Sequence, residues 1–159
     1  MSVYLLDSNA ISELIRNPHG AVYKEQLRVA ADPANRLLAS IITACEVRFG
    51  AFKKGSRRLN ERVDELFATV KVVPFTSGAD IAYAHLRSDL ERRGQLIGPN
   101  DMLIAAHALA LGAILVTDNV REFKRDYGGP VVRLNIGLED PADLIADLRK
   151  GLDAFAKAD

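Results

Sequence analysis

Residues 97–123 read IGPNDMLIAAHALALGAILVTDNVREF. Gly98-Pro99-Asn100 punctuates the chain, and Asp101 opens a helical run over 102–111 in which Ile104, Ala108 and Leu111 fall at core-facing spacing. Gly112 stops that run. The next four residues, Ala-Ile-Leu-Val at 113–116, form a short continuous apolar segment, the mark of a strand buried on both faces. A helix that passes through one glycine into a buried strand is the repeating unit of a parallel α/β sheet.

The same alternation extends in both directions. Residues 3–6 form a strand that ends at Asp7-Ser8-Asn9, whose side chains suit the cap of a helix over 10–16. Pro18 and Gly20 interrupt before a second helix at 22–31, and Asp32-Pro33 with Asn35 makes a turn. A strand at 37–39 precedes a helix at 43–52, and Gly55-Ser56 separates it from another at 59–68. Residues 70–73 are rich in β-branched side chains and read as a strand ended by Pro74. Ser77-x-x-Asp80 resembles a capping box for a long helix reaching Arg92, and 131–134 supplies a further strand. The expected fold class is α/β, with a mainly parallel central sheet flanked by helices. Residues 1–136 form one domain, and 137–159 a helical extension packed on or flanking it.

Composition narrows the class. The 159 residues are 48% hydrophobic and 26% charged without tryptophan, enough for one well-filled globular domain. A single cysteine, Cys45, rules out an internal disulfide framework and fits a reducing compartment. The opening MSVYLLDSNAISELI meets acids at Asp7 and Glu13 and makes a poor export signal. No apolar run approaches membrane length. A cytoplasmic protein is expected. Formal net charge is zero, so whole-molecule electrostatics do not announce a polyanion ligand. Locally, Arg48, Lys53, Lys54, Arg57, Arg58 and Arg62 cluster in a short span, either as a rim for nucleic-acid phosphates or as a solvated helical face.

Four acidic positions stand at segment edges: Asp7, Glu46, Asp101 and a candidate at Asp118. Each also has an ordinary structural use. Asp7 suits a helix cap, Thr43-Ala44-Cys45-Glu46 fits a capping box, Asp101 favours a helix N-terminus, and Asp118 suits a turn. Their joint placement beside VYLLD, SIITACEV and NDMLIAA argues for a shared pocket, because ligands of open α/β sheets bind beyond the carboxyl ends of strands. Two carboxylates about 4 Å apart repel by about 4 kcal/mol at an effective dielectric near 20, so such a pocket calls for a cation or for protonation. Mg²⁺ or Mn²⁺ suits oxygen donors. Zinc suits this chain poorly, since Cys45 has no cysteine partner and the histidines lack ligand spacing.

With these blocks assembled, the chain resembles the PIN-domain ribonucleases, especially toxins of the VapC/FitB type. The resemblance rests on YLLDSNAISEL at 4–14, ASIITACEVRFGAFK at 39–53 and the 97–123 stretch, in order over residues 3–134. It implies a metal-dependent endoribonuclease using Mg²⁺ or Mn²⁺ and leaving 5′-phosphate and 3′-hydroxyl ends. It assigns the first three family acids to Asp7, Glu46 and Asp101, with Asp7 and Asp101 as principal ligands and Glu46 joining directly or through water. Asn9, Ser40 and Thr117 match supporting polar positions. The fourth position is open between Asp118, Asn119 and Glu122, because the usual Asp/Asn slot falls on Asn119. The family likeness also implies an RNA substrate, a cognate antitoxin, a homodimer or a hetero-oligomer with that antitoxin, and operator DNA reached only through it. No membrane is involved.

Arg48, Lys53, Arg57, Arg58 and Arg121 are candidates for holding RNA phosphates, without a base-specific code. Cys45 reads as a small buried hydrophobe, and His107 as a packed helix residue. Tyr4, Phe49, Phe52, Tyr83 and Phe123 fill core or partner-facing grooves, and helices 10–16 and 22–31 either pack in the core or border an antitoxin groove. A noncatalytic RNA-binding or regulatory protein of the same fold and a small metal-dependent phosphatase are the competing readings.

Overall fold

Strand β1, Val3–Leu6, lies at the centre of a five-stranded sheet because its side chains are apolar on both faces. In the computed structural model, which describes residues 2–117 and 131–133, it pairs in parallel with β2 (Arg36–Ser40) on one side and β4 (Ile114–Thr117) on the other. Strand β3 (Lys71–Val73) extends the sheet beyond β2, and β5 (Val131–Arg133) beyond β4, giving the order β3-β2-β1-β4-β5. Every pairing is parallel, and the central strands carry the short apolar runs usual in a sheet covered on both faces.

Successive strand residues face opposite layers. Leu5, Leu38 and Leu115 pack under α5 (Ala79–Arg92) and α6 (Pro99–Leu111), where Leu90 and Ile104 are fully buried. Leu6, Ala39 and Val116 face α1 (Ser8–Arg16), α3 (Ile41–Lys54) and α4 (Arg57–Thr69), with Ile11 and Val63 at the centre. Helix α2, Ala21–Ala30, joins that second layer through Tyr23. Each large side chain so enclosed contributes about 1.5–3 kcal/mol relative to exposure. The links from β1 to β2 to β3 use the second layer, whereas the link from β3 to β4 crosses by the first. The direction of winding therefore reverses between β1 and β4, and the crevice beyond their carboxyl ends lies at that switch.

Local chemistry explains the element ends and several departures from expectation. Helix α3 begins at Ile41 with Ser40 as its cap, the hydroxyl accepting from the Ile42 amide at 3.1 Å. Thr43 is therefore not the cap; it is buried in the first turn, its hydroxyl 3.4 Å from the Leu6 carbonyl oxygen. With that start, Ala44, Val47 and Ala51 face inward, and Cys45, Phe49 and Phe52 point outward. Cys45 is exposed rather than buried, and the core reading of the two phenylalanines fails for the same reason. Helix α5 is capped by Gly78 at φ +98°, not by Ser77; Asp80 reaches back to the Gly78 amide at 2.9 Å. Helix α6 is enclosed from Met102 to Ala108 and emerges in its last turn, so Leu111 is exposed, contrary to its core-facing spacing. Gly112 closes that helix at φ +57°, where a side chain would be strained. Residues 137–159 and Phe123 lie outside the described residues.

Candidate active site

Asp7 is the residue after β1, and the backbone sets it firmly. Its amide donates to the Val116 carbonyl at 3.0 Å, tying the end of β1 to the end of β4. Its side chain caps α1, Oδ1 accepting from the Ala10 amide at 2.7 Å. Oδ2 accepts from the Thr117 hydroxyl at the last position of β4. Asp7 and Thr117 are 2% and 1% exposed, so a carboxylate has been held at the switch crevice where water reaches it little. Capping and site placement are thus compatible uses of one side chain, with one oxygen for each.

Glu46 lies in the second turn of α3, beyond the capping positions. Its carboxylate instead spans two other elements: Oε2 accepts from the Ser8 hydroxyl of α1, and Oε1 from the Asn100 amide of α6 at 2.8 Å. Asp101, the next residue after Asn100, stands in the first turn of α6. The sheet thus brings together acids from three elements, and Asp7, Glu46 and Asp101 all line one cavity of about 570 Å³. Ser8, Asn9, Ser12 and Lys54 share its wall with apolar Ile15, Val47 and Leu59.

The remaining expected positions divide. Asn9 opens on the cavity, but Ser40 does not line it. Ser40 is fully buried, capping α3 while its hydroxyl meets Nδ1 of His107 at 2.9 Å. His107, in turn, stacks edge-on against Phe75 with 5.3 Å between ring centres, as a packed helix residue should. Desolvation lowers its pKa, opposed by the Pro74 backbone, and Nε2 lacks a well-formed hydrogen bond among the described residues. Arg48 is paired with Asp64 at 2.6 Å and lies over Phe67; Arg57 is paired with Glu61 at 2.9 Å. Lys53 is exposed, and Arg58 lines a separate hollow beside α4. Asp118, Asn119, Arg121 and Glu122 fall outside the described residues. Ser8 and Asn100 escaped the sequence reading as partners of Glu46, although each adjoins a candidate acid.

The cavity's polar donors are mainly oxygens, suited to a hard divalent cation rather than a thiolate-seeking one. Among the described residues, no three Asp, Glu, His or Cys side chains form a group able to hold an ion as they stand. The donor chemistry fits; Glu46 is oriented by Ser8 and Asn100 in place of direct convergence.

Comparison with known proteins converges on one family. The PIN domain model matches residues 4–127. Ribonuclease VapC2 of Rickettsia felis is 36% identical over 77% of this chain and 91% of its own length. The tRNA(fMet)-specific endonuclease VapC of Shigella flexneri is 32% identical over 80% of this chain and 95% of its own. The crystal structure of VapBC2 from Rickettsia felis, bound to a DNA fragment from their promoter, superimposes with a TM-score of 0.77 at 29% identity. That match covers 84% of this chain and 99% of the other. With its parallel sheet and acid-lined switch crevice, this chain belongs to the PIN-domain family and is closely related to the VapC/FitB-type toxins of toxin–antitoxin systems.

Proposed function

We propose that this chain is a metal-dependent endoribonuclease, the toxin of a toxin–antitoxin pair, acting in the cytoplasm. The observation that carries the reading is the cavity beside α1, α3 and α4 at the carboxyl end of β1, lined together by Asp7, Glu46 and Asp101. Relatives named as a ribonuclease and a tRNA-specific endonuclease support the substrate class. No helix among the described residues is long and apolar enough to cross a membrane.

Asp7 and Asp101 would hold Mg²⁺ or Mn²⁺, with Glu46 joining directly or through water. When bound, the ion polarises a phosphodiester and lowers the pKa of attacking water. The chain's own residues do the positioning. Thr117 and the Ala10 amide fix the Asp7 carboxylate, because a misaimed oxygen weakens coordination. Ser8 and Asn100 hold the Glu46 carboxylate at the cavity wall, from which it would accept the proton of the attacking water. Asn9 contributes a neutral polar group to the rim, and Ser40 acts at a distance by fixing the start of α3. Asp118, Asn119 and Glu122 remain candidates for completing the acidic set, and 5′-phosphate and 3′-hydroxyl ends are the proposed products.

A cognate antitoxin is the proposed protein partner, in a homodimer or hetero-oligomer, with operator DNA bound only through the antitoxin; a solved relative carrying promoter DNA supports this. The test is cleavage of a mixed structured RNA pool by the antitoxin-free protein with Mg²⁺ or Mn²⁺. Internal cleavage abolished by EDTA and by Asp7→Asn is the expected result. Folded protein that binds RNA but leaves it intact with either metal would refute the enzymatic reading and favour a binding protein.

A further inference from the structure

The basic cluster around the α3–α4 junction sorts by partner. Arg48 and Arg57 are ion-paired with Asp64 and Glu61. Among the described residues, Lys54, Arg58 and Arg62 have no such carboxylate. Their positions are ordered. Lys54, in the last turn of α3, lines the acid-bearing cavity together with Leu59. Leu59 also lines a second hollow, of about 310 Å³, whose other walls include Arg58 and Arg62. The two spaces therefore meet at one apolar side chain, with cations on either side of it.

Arg58 and Arg62 are one turn apart on α4, hence on the same face and about 6 Å apart along its axis. Arg62 is half-buried, so its stem is already constrained while its guanidinium has no acidic partner among the described residues. A planar guanidinium so placed suits phosphate oxygens, and a pair at this spacing suits successive phosphates of one strand. A cationic groove leading to a hydrolytic pocket is how a backbone is tracked without reading bases.

We propose that Lys54, Arg58 and Arg62 form a phosphate track that feeds single-stranded RNA into the acidic cavity. The proposal rests on the ribonuclease reading for its ligand class. Phosphates along the track draw the strand past Leu59, and Lys54 holds the phosphate that enters the cavity.

The test measures binding apart from cleavage. A fluorescein-labelled oligouridylate is titrated across salt concentrations against the full chain carrying Asp7→Asn, with and without Arg58→Gln plus Arg62→Gln. Two lost contacts should weaken binding about tenfold at low salt and flatten the log–log salt dependence by about 1.4. Arg92→Gln, on α5 across the sheet and paired with Asp89, should leave the slope unchanged. An unchanged slope in the double variant overturns the track, and does so decisively if that variant instead loses affinity for poly-glutamate, which would mark an acidic polypeptide as the ligand. A flattened slope alongside an Asp7-bearing chain that cleaves no RNA would support the track while refuting the ribonuclease reading. Both arginines stand at the surface of α4, and matched thermal unfolding of the variants verifies that the fold is retained.

Discussion

Thr117→Val probes the hinge of the site most sharply. Valine keeps the shape of threonine in a position 1% exposed, so no cavity opens, but the donor to Oδ2 of Asp7 is removed. A hydrogen bond to an ionised group contributes about 1.5–3 kcal/mol, and the buried carboxylate cannot recover it from bulk water. The expected loss is about 2 kcal/mol at neutral pH. In an Asp7→Asn background asparagine still caps α1 through its carbonyl oxygen, which turns its amide NH2 toward Thr117; the bond is then between neutral groups with the Thr117 hydroxyl accepting, and the same change should cost only about 1 kcal/mol. The coupling between the two sites is then about 1 kcal/mol, within the range of residues in direct contact. Urea unfolding of the four proteins measures it, the single change moving the midpoint by about 1 M for a slope of about 2 kcal/mol per molar. A loss below about 0.5 kcal/mol, or an equal loss in both backgrounds, would refute the view that Thr117 holds an ionised Asp7.

Other consequences follow from the same geometry. Ser8→Ala should slow the cleavage step with little change in global stability, since it frees Glu46 to reorient; an unchanged single-turnover rate constant would count against Glu46 in the site. Gly50→Ala should raise stability by about 0.5–1 kcal/mol in denaturant titration, because Gly50 lies within α3 with nothing within 4 Å of an added Cβ. Burial holds the pKa of His107 down, so between that value and about 6.5 the unfolded chain binds a proton the folded chain refuses. Stability should therefore fall as pH drops below about 6.5, by at most about 1.4 kcal/mol per pH unit from this group. Urea midpoints measured from neutral to mildly acidic pH should lose that component in His107→Gln, and an identical profile would exclude His107 as its source.

Much of the fold was legible because its signals are local. Gly112 between an apolar helix and an apolar strand, and Pro74 after Lys71–Val73, mark boundaries through backbone chemistry alone. Strand order was not legible, since the crossing from β3 past β2 and β1 to β4 depends on which layer receives α5 and α6. Capping patterns misled where two polar residues competed: Ser40 precedes Thr43 and begins α3 earlier, which places Glu46 beyond the helix start. Asp7 looked ambiguous between cap and site because its two oxygens serve both. Ser8 and Asn100 carry no chemical signature until folding brings them to Glu46. Likewise, which cations are neutralised depends on contacts such as Arg48 with Asp64, sixteen positions apart.

Calorimetric titration of Mn²⁺ into the RNA-free protein and its Asp7→Asn, Asp101→Asn and Glu46→Gln variants tests most directly whether the three acids serve one cation. Saturable binding is predicted, with Asp7→Asn and Asp101→Asn each weakening it at least tenfold and Glu46→Gln by less. Binding that persists at full affinity after loss of Asp7 or Asp101, or the absence of binding by the unsubstituted chain, would contradict the account.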